Sequence, residues 1–328
     1  MSSHPFGSRM FFLLVLAMAM VLPVDRAQAA EYPDKPIRLV VGFAAGGATD
    51  LLARIVAQKL QDRMGQSVIV ENRPGAGGTI ASAVVAKAPA DGYTIGIVSA
   101  SHAINATLYP SLPYDSVADF IAIGTVAVAP NVLVVHPSLP VNNLAEFIAL
   151  AKAKPGTINL ASAGTGSSSH LAGELFKSMA GINLVHVPYK GTSESIRDLI
   201  SGQVQATVDA VSALLPHINS GALKVLGVGD PQRTPKLPNV PTLAEGGVPG
   251  YAYFAWTGLV APARTPPEVI RKLNAELAIV LKSPDVEKKL DDLGARAFVS
   301  SAAEFDALIK SEIAKFAQII KSAGVKLQ

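Results

Sequence analysis

A chain of 328 residues is long enough for about two globular domains, and 49% apolar against 16% charged residues excludes intrinsic disorder. Lys and Arg number 28 against 25 Asp and Glu, with no basic run longer than two, so the clustered charge of a nucleic-acid groove is missing. The lack of Cys excludes disulfides, thiolate nucleophiles, Cys-bound zinc, iron–sulfur clusters and a lipidated Cys anchor, and 27 Gly with 23 Pro suit an α/β protein rich in tight turns.

The first element reads as a leader. Arg9 precedes the apolar run at 10–22, and small residues follow at Ala27-Gln28-Ala29, the layout of a secretory signal with an A-x-A cleavage site. The run is shorter than the ~20 residues of a spanning helix, and no later stretch is long enough. A mature chain beginning near Ala30 or Glu31 is therefore expected, freely soluble and best suited to a bacterial periplasm.

Ile37 to Phe43 (IRLVVGF) is short, apolar and β-branched, a buried strand, and Asp50 to Met64 follows with apolar residues at 51, 52, 55, 56 and 60, a helix. Strand Ser67 to Glu71, helix Ile80 to Ala88 and strand Tyr93 to Ser99 continue the alternation, which indicates βαβ units and a parallel sheet covered on both faces. A second set begins near Val126, with strand 132–136, helix 144–154, strand 158–163, helix 171–180, strand 184–187, helix 196–201 and strands 205–210 and 223–229. Two separate sheets are expected. Residues 231–267 are rich in Pro and Gly and read as a long crossover, patterned only at Trp256 to Val260. Helices 268–282 and 304–321, each with one apolar face, close the chain. If they return to the first sheet, the first domain is discontinuous, the chain crosses twice, and a hinged cleft results.

Three loops could carry chemistry. Ala44-Ala-Gly-Gly-Ala-Thr-Asp50 lets backbone approach a ligand and opens onto a helix N-terminus, whose unpaired N–H groups suit a carboxylate or phosphate; Thr49 or Asp50 could equally cap that helix. Gly164-Thr-Gly-Ser-Ser-Ser-His170 brings hydroxyls and N–H groups to a strand's carboxyl end, where open α/β sheets bind ligands. Tyr189-Lys-Gly-Thr192 offers a flat face, a hydroxyl and the cation of Lys190. Asp209, near the end of its strand, could accept from a ligand hydroxyl or ammonium or cap the next helix. Softer candidates are the 99–105 stretch with Ser99 and His102, and the turn after Asn72 with Arg73.

Neither nucleotide fingerprint is complete in these loops. No G-x-S-x-G elbow occurs, and the six His show no metal spacing, so no catalytic, metal or cofactor site is expected. Ser168, His170 and Asp209 are of the right types for a triad, but their spacing does not argue for one.

The runs Pro33-Asp-Lys-Pro-Ile-Arg-Leu-Val-Val-Gly-Phe43, Ala45-Gly-Gly-Ala-Thr-Asp50, Glu71-Asn-Arg-Pro-Gly-Ala-Gly-Gly78, Ala90-Asp-Gly-Tyr93, Tyr189-Lys-Gly191 and Asn239-Val-Pro-Thr242 resemble the Bug family across essentially the whole mature chain. These are the extracytoplasmic solute receptors of tripartite tricarboxylate transporters. The resemblance implies an α/β, two-domain Venus flytrap, each domain a mostly parallel sheet flanked by helices. A signal peptide at 1–29 would precede a discontinuous domain 1 (30–130 plus 255–328) and a domain 2 (131–254).

It further implies a periplasmic monomer that captures a small organic carboxylate and delivers it to a membrane permease, with no cofactor and no nucleic acid. The pocket would hold the carboxylate through backbone amides, hydroxyls and bridging water rather than an Arg clamp. By the same resemblance Ala45, Gly46, Gly47 and Asp50 face Gly164, Thr165, Gly166 and Ser168 across the cleft. Asp209 stands near the distal part of the ligand, and the side chains of His170 and Tyr189 tune specificity. Where relatives often carry Pro before the loop glycines, this chain has Ala44 and Ala45. A secreted enzyme using the same cleft, or a receptor feeding a two-component sensor, are the alternatives.

Overall fold

Strand β1 (Ile37–Val41) is buried at every position but Arg38, as a strand covered on both faces requires. The computed structural model describes residues 32–323, so the leader at 1–29 and the expected new N-terminus at Ala30 or Glu31 lie outside the described residues. The architecture that follows is that of the unit beginning at Lys35.

β1 is followed by α1 (Ala48–Met64), β2 (Val68–Asn72), α2 (Thr79–Ala86), β3 (Thr94–Ser99) and α3 (Ala100–Leu108). β1 pairs in parallel with both β2 and β3, the product of two helical crossovers. Further on come β4 (Phe120–Val135), α4 (Leu144–Ala153), β5 (Asn159–Ser162), α5 (Ser168–Ala180), β6 (Val185–Pro188), α6 (Thr192–Ile200), β7 (Ala206–Ala210), α7 (Val211–Asn219) and β8 (Lys224–Val228). Here β5 is parallel to β6 and β7. The chain ends with β9 (Phe254–Pro262), α8 (Pro267–Leu281), α9 (Pro284–Asp292), the short β10 (Arg296–Ala297) and α10 (Ala302–Ala323).

The α/β class therefore stands, with two long antiparallel strands added to the parallel pairs. The order is β2-β1-β3-β9-β4-β7-β5-β6, with β8 and β10 also on β4. The two sheets expected from the sequence are joined through β4, which pairs with β9 over Phe120–Pro130 and with β7 over Asn131–Val135. Pro130 stands at the last β9 pair, where the ladder passes to β7, so its missing N–H interrupts neither partner. The chain thus passes from one set of strands to the other inside a single strand and returns along β9.

α8 and α10 pack on β4, and α8 also meets α1. The closing helices therefore do return to the first set of strands. α10 reaches α3 and α5 as well, and its Phe305 and Phe316 are fully buried. Among the described residues, α3 and α9 were not anticipated and α7 was raised only as a helix that Asp209 could cap; α3 and α7 matter most because residues at their starts reach the site.

Candidate functional site

Helices α1, α3, α5, α6 and α7 all start at the carboxyl ends of parallel-paired strands, and residues from each start line one cavity of about 50 Å³. Gly47 to Thr49 come from α1, Ser99 from the residue before α3, Ser167 to Ser169 from α5, Thr192 from α6, and Ala210 and Ser212 from α7. Ala127 and Ala129 of β4 and Ala255 to Thr257 of β9 form the opposite wall. Only α5 has a capping side chain, with Ser167 Oγ accepting from the His170 N–H at 3.1 Å. The other four helices begin with no side-chain cap. Among the described residues no Lys or Arg lines the cavity. Beside the Asp209 carboxyl, the groups it offers an anion are therefore helix-start N–H groups and the dipole ends behind them, an arrangement suited to a small carboxylate.

The first loop enters the cavity through Gly47, while Ala45 and Gly46 are exposed and do not line it. Asp50 does not line it. Its carboxylate accepts from Gly46 N–H (2.8 Å), Arg54 Nε (2.9 Å) and Asn72 Nδ2 (2.8 Å), and so fixes the loop's shape. Burial pushes this carboxyl up, but the bonds from Arg54, Gly46 and Asn72 together hold it below the ordinary value.

The second loop faces the first set of strands closely. A Cβ on Gly77 would come within 2.5 Å of the Thr165 carbonyl, and Gly166, at φ +80°, lies against Asn105 and Tyr109 of the α3 segment. The Tyr109 hydroxyl donates to Thr165 O at 3.4 Å. Gly164, at φ +124°, packs on the Tyr189 carbonyl, so the second and third loops touch. Ser168 lines the cavity, with Oγ 3.1 Å from the Tyr253 hydroxyl.

His170 sits behind this loop. Its Nδ1 accepts from Gly166 N–H at 3.2 Å, and its ring stacks at 4.1 Å on His186, whose Nε2 meets Ser162 Oγ at 2.6 Å. Burial lowers both imidazoles, His186 to about 3. Tyr189 also points away from the cavity and donates to Asp198 Oδ2 at 3.0 Å. His102 is buried between Tyr114 and Phe120, with Nε2 2.8 Å from Ser116 O, and burial lowers it to about 4.

Asp209 is in the wall. Oδ2 accepts from Thr192 Oγ1 at 2.8 Å and Oδ1 from Ala210 N–H at 2.7 Å, yet burial still raises the carboxyl to about 6. Of the predicted residues, Gly47, Ser99, Ser168 and Asp209 line the cavity. Gly164, Thr165 and Gly166 are not among its lining residues and pack instead on Tyr189, Gly77 and the α3 segment, and the side chains of His102, His170 and Tyr189 stand outside it.

Sequence reasoning missed Phe43, Thr192 and Trp256 as lining residues. Thr192 closes a loop already singled out, and Trp256 opens the one patterned stretch of the crossover, so both carried a signal.

Residues 52–325 match TctC, the tripartite tricarboxylate transporter family receptor. BugT of Bordetella pertussis is 37% identical over 92% of this chain and 93% of its own. An R. palustris protein solved with adipate is 39% identical, with TM-score 0.88 over 90% of this chain and 99% of that one. MatC from Rhodopseudomonas palustris, solved with bound malate, is 32% identical, with TM-score 0.85 over 88% and 100%. The resemblance read from the loops is thereby confirmed, and the chain belongs to the TctC or Bug family of solute-binding receptors.

Proposed function

We propose that the chain is a periplasmic receptor that closes over a small organic carboxylate and hands it, unchanged, to the permease of a tripartite tricarboxylate-type transporter. Within residues 35–323 the two lobes divide at 130/131 and 254/255, with β4 and β9 as the linking strands. The observation that carries this reading is the meeting, among the described residues, of four uncapped helix starts in one cavity lined by no Lys or Arg. A carboxylate entering it exchanges water for fixed N–H donors, which need no reorganisation to receive it. α1 and α3 start in one set of strands and α5, α6 and α7 in the other. A ligand held by both favours the closed state by its differential affinity for it.

Catalysis would need a nucleophile beside a base. Ser168 Oγ bonds Tyr253, His170 Nδ1 is taken by Gly166 N–H, and Asp209 accepts from Thr192 and Ala210, so the three triad-type residues are tied to other partners.

A thermal-shift panel of mono-, di- and tricarboxylates, aromatic acids and acidic amino acids tests the reading. Ligand at 100 times its Kd adds about 2.7 kcal/mol, a shift of several degrees for a protein of this size. A selective shift with the compound recovered unchanged supports a receptor. Turnover of the compound, or no shift even after refolding from denaturant to strip bound ligand, overturns it.

A further inference from the structure

The Ser212 side chain is 1% exposed, its hydroxyl has no hydrogen-bond partner in the protein, and it lines the cavity. A buried hydroxyl is normally satisfied, and a helical Ser commonly finds the carbonyl four residues back. For Ser212, the second residue of α7, that residue is Val208, which lies in β7 outside the helix. Other polar residues of the same cavity wall are engaged with partners of their own. Asp209 accepts from Thr192 and Ala210, and Ser169 Oγ accepts from Ala163 N–H at 2.9 Å and pairs with Ser167 Oγ at 3.1 Å. The start of α7 also lacks a side-chain cap. Two independent features, an uncapped helix start and an orphaned buried hydroxyl, thus converge on one spot in the cavity wall.

We propose that Ser212 is a specificity-determining contact whose hydroxyl bonds a second oxygen-bearing group of the ligand, distinct from the carboxylate held at the start of α1. This rests on the carboxylate reading of the cleft. The helix that carries Ser212 follows β7 of the second set of strands and α1 follows β1 of the first, so one ligand meeting both spans the cleft. Ligands with a hydroxyl, carbonyl or second carboxylate use the Ser212 end, and a plain monocarboxylate of equal length leaves it unused.

Calorimetric titration of wild type and Ser212→Ala with butyrate, 4-hydroxybutyrate and succinate tests this, with the unliganded Tm of each variant as a control. The expected result is about a tenfold loss in Ser212→Ala for the two-ended ligands that bind wild type, less than twofold for butyrate, and an unliganded Tm equal to or above wild type, since an unsatisfied hydroxyl has been removed. Ser212→Cys, with a weaker donor of similar size, should fall between. Equal losses for every ligand together with a lowered Tm would make Ser212 structural and overturn the proposal. So would unchanged affinities, and in that case carboxylate binding by wild type leaves the receptor reading standing. A wild type that binds no carboxylate overturns both.

Discussion

Trp256 donates its indole N–H to Glu312 Oε2 at 3.0 Å, joining the cavity wall on β9 to the buried face of α10. The ring also meets Phe305 edge-on at 5.7 Å, and the other Glu312 oxygen pairs with Lys315. The wall of the site is therefore held by the last helix of the chain. Glu312→Ala leaves a buried N–H without an acceptor and should cost about 2 kcal/mol in urea unfolding, whereas Glu312→Gln, which keeps an acceptor, should cost less. Trp256 is the sole tryptophan, so its emission should respond to ligand in wild type. Equal stability of all three proteins would show that the wall does not depend on this bond.

Asp50 was expected to face ligand and instead ties its own loop to α1 and β2. Its partner Arg54 is 52% exposed, so the ion pair itself is worth little. The bonds to Gly46 N–H and Asn72 matter more because they set the loop. Arg54→Ala should thus cost under about 1 kcal/mol, and Asp50→Ala about 1–2 kcal/mol plus a clear loss of ligand affinity. The reverse ranking in denaturant melts would mean that the ion pair, not the loop scaffold, is the stabilising element.

The parallel part of the fold was legible because β1 is a short β-branched run next to an amphipathic helix, and the same contrast recurs at β5 and α5. β4 was not. Its sequence, FIAIGTVAVAPNVLVV, is buried on both faces, so no alternation marks it, and Pro130 falls in its middle where a break is the ordinary reading. Only tertiary pairing, with β9 on one side of Pro130 and β7 beyond it, makes it one strand. At the site, the glycines and serines of the loops were readable as backbone-exposing turns. The direction of a side chain such as His170 or Tyr189 was not, because it follows from partners chosen in the fold, the Gly166 N–H and His186 ring for His170 and Asp198 for Tyr189.

Gly77 and Gly166 meet from the two sets of strands. At Gly166 an added Cβ would run into Asn105 Oδ1 and sit 3.0 Å from the Tyr109 ring, while at Gly46 it would find only Ser193 at 3.9 Å. Both glycines have φ +80°, so each Ala variant carries about 1–2 kcal/mol of backbone strain, and only Gly166→Ala adds a clash with Asn105 and Tyr109. Gly166→Ala should therefore lose at least about tenfold in ligand affinity and fail to contract on ligand addition in small-angle scattering. Gly46→Ala should bind far more nearly as wild type does. Similar losses in the two would place the effect in backbone strain rather than in closure.

The Asp209 carboxyl, raised by burial to about 6 from its ordinary 3.8, makes a signed prediction. The native state holds this proton at a pH where the unfolded chain has released it. The associated stability is therefore fully present below about 4 and is lost as pH rises through about 6. Buried imidazoles act in the opposite sense. His102 is lowered from 6.5 to about 4, so its contribution is present above 6.5 and is lost as pH falls through 4. The wild-type profile mixes the two, and the informative quantity is the difference between wild type and Asp209→Asn, in which the imidazoles cancel. That difference, from urea unfolding at steps between pH 4 and 8, should move against wild type as pH rises to about 6 and then level off. A difference flat across the whole range would mean that Asp209 ionises as an exposed carboxylate does, and that the helix starts around it stabilise its charge more than burial opposes it.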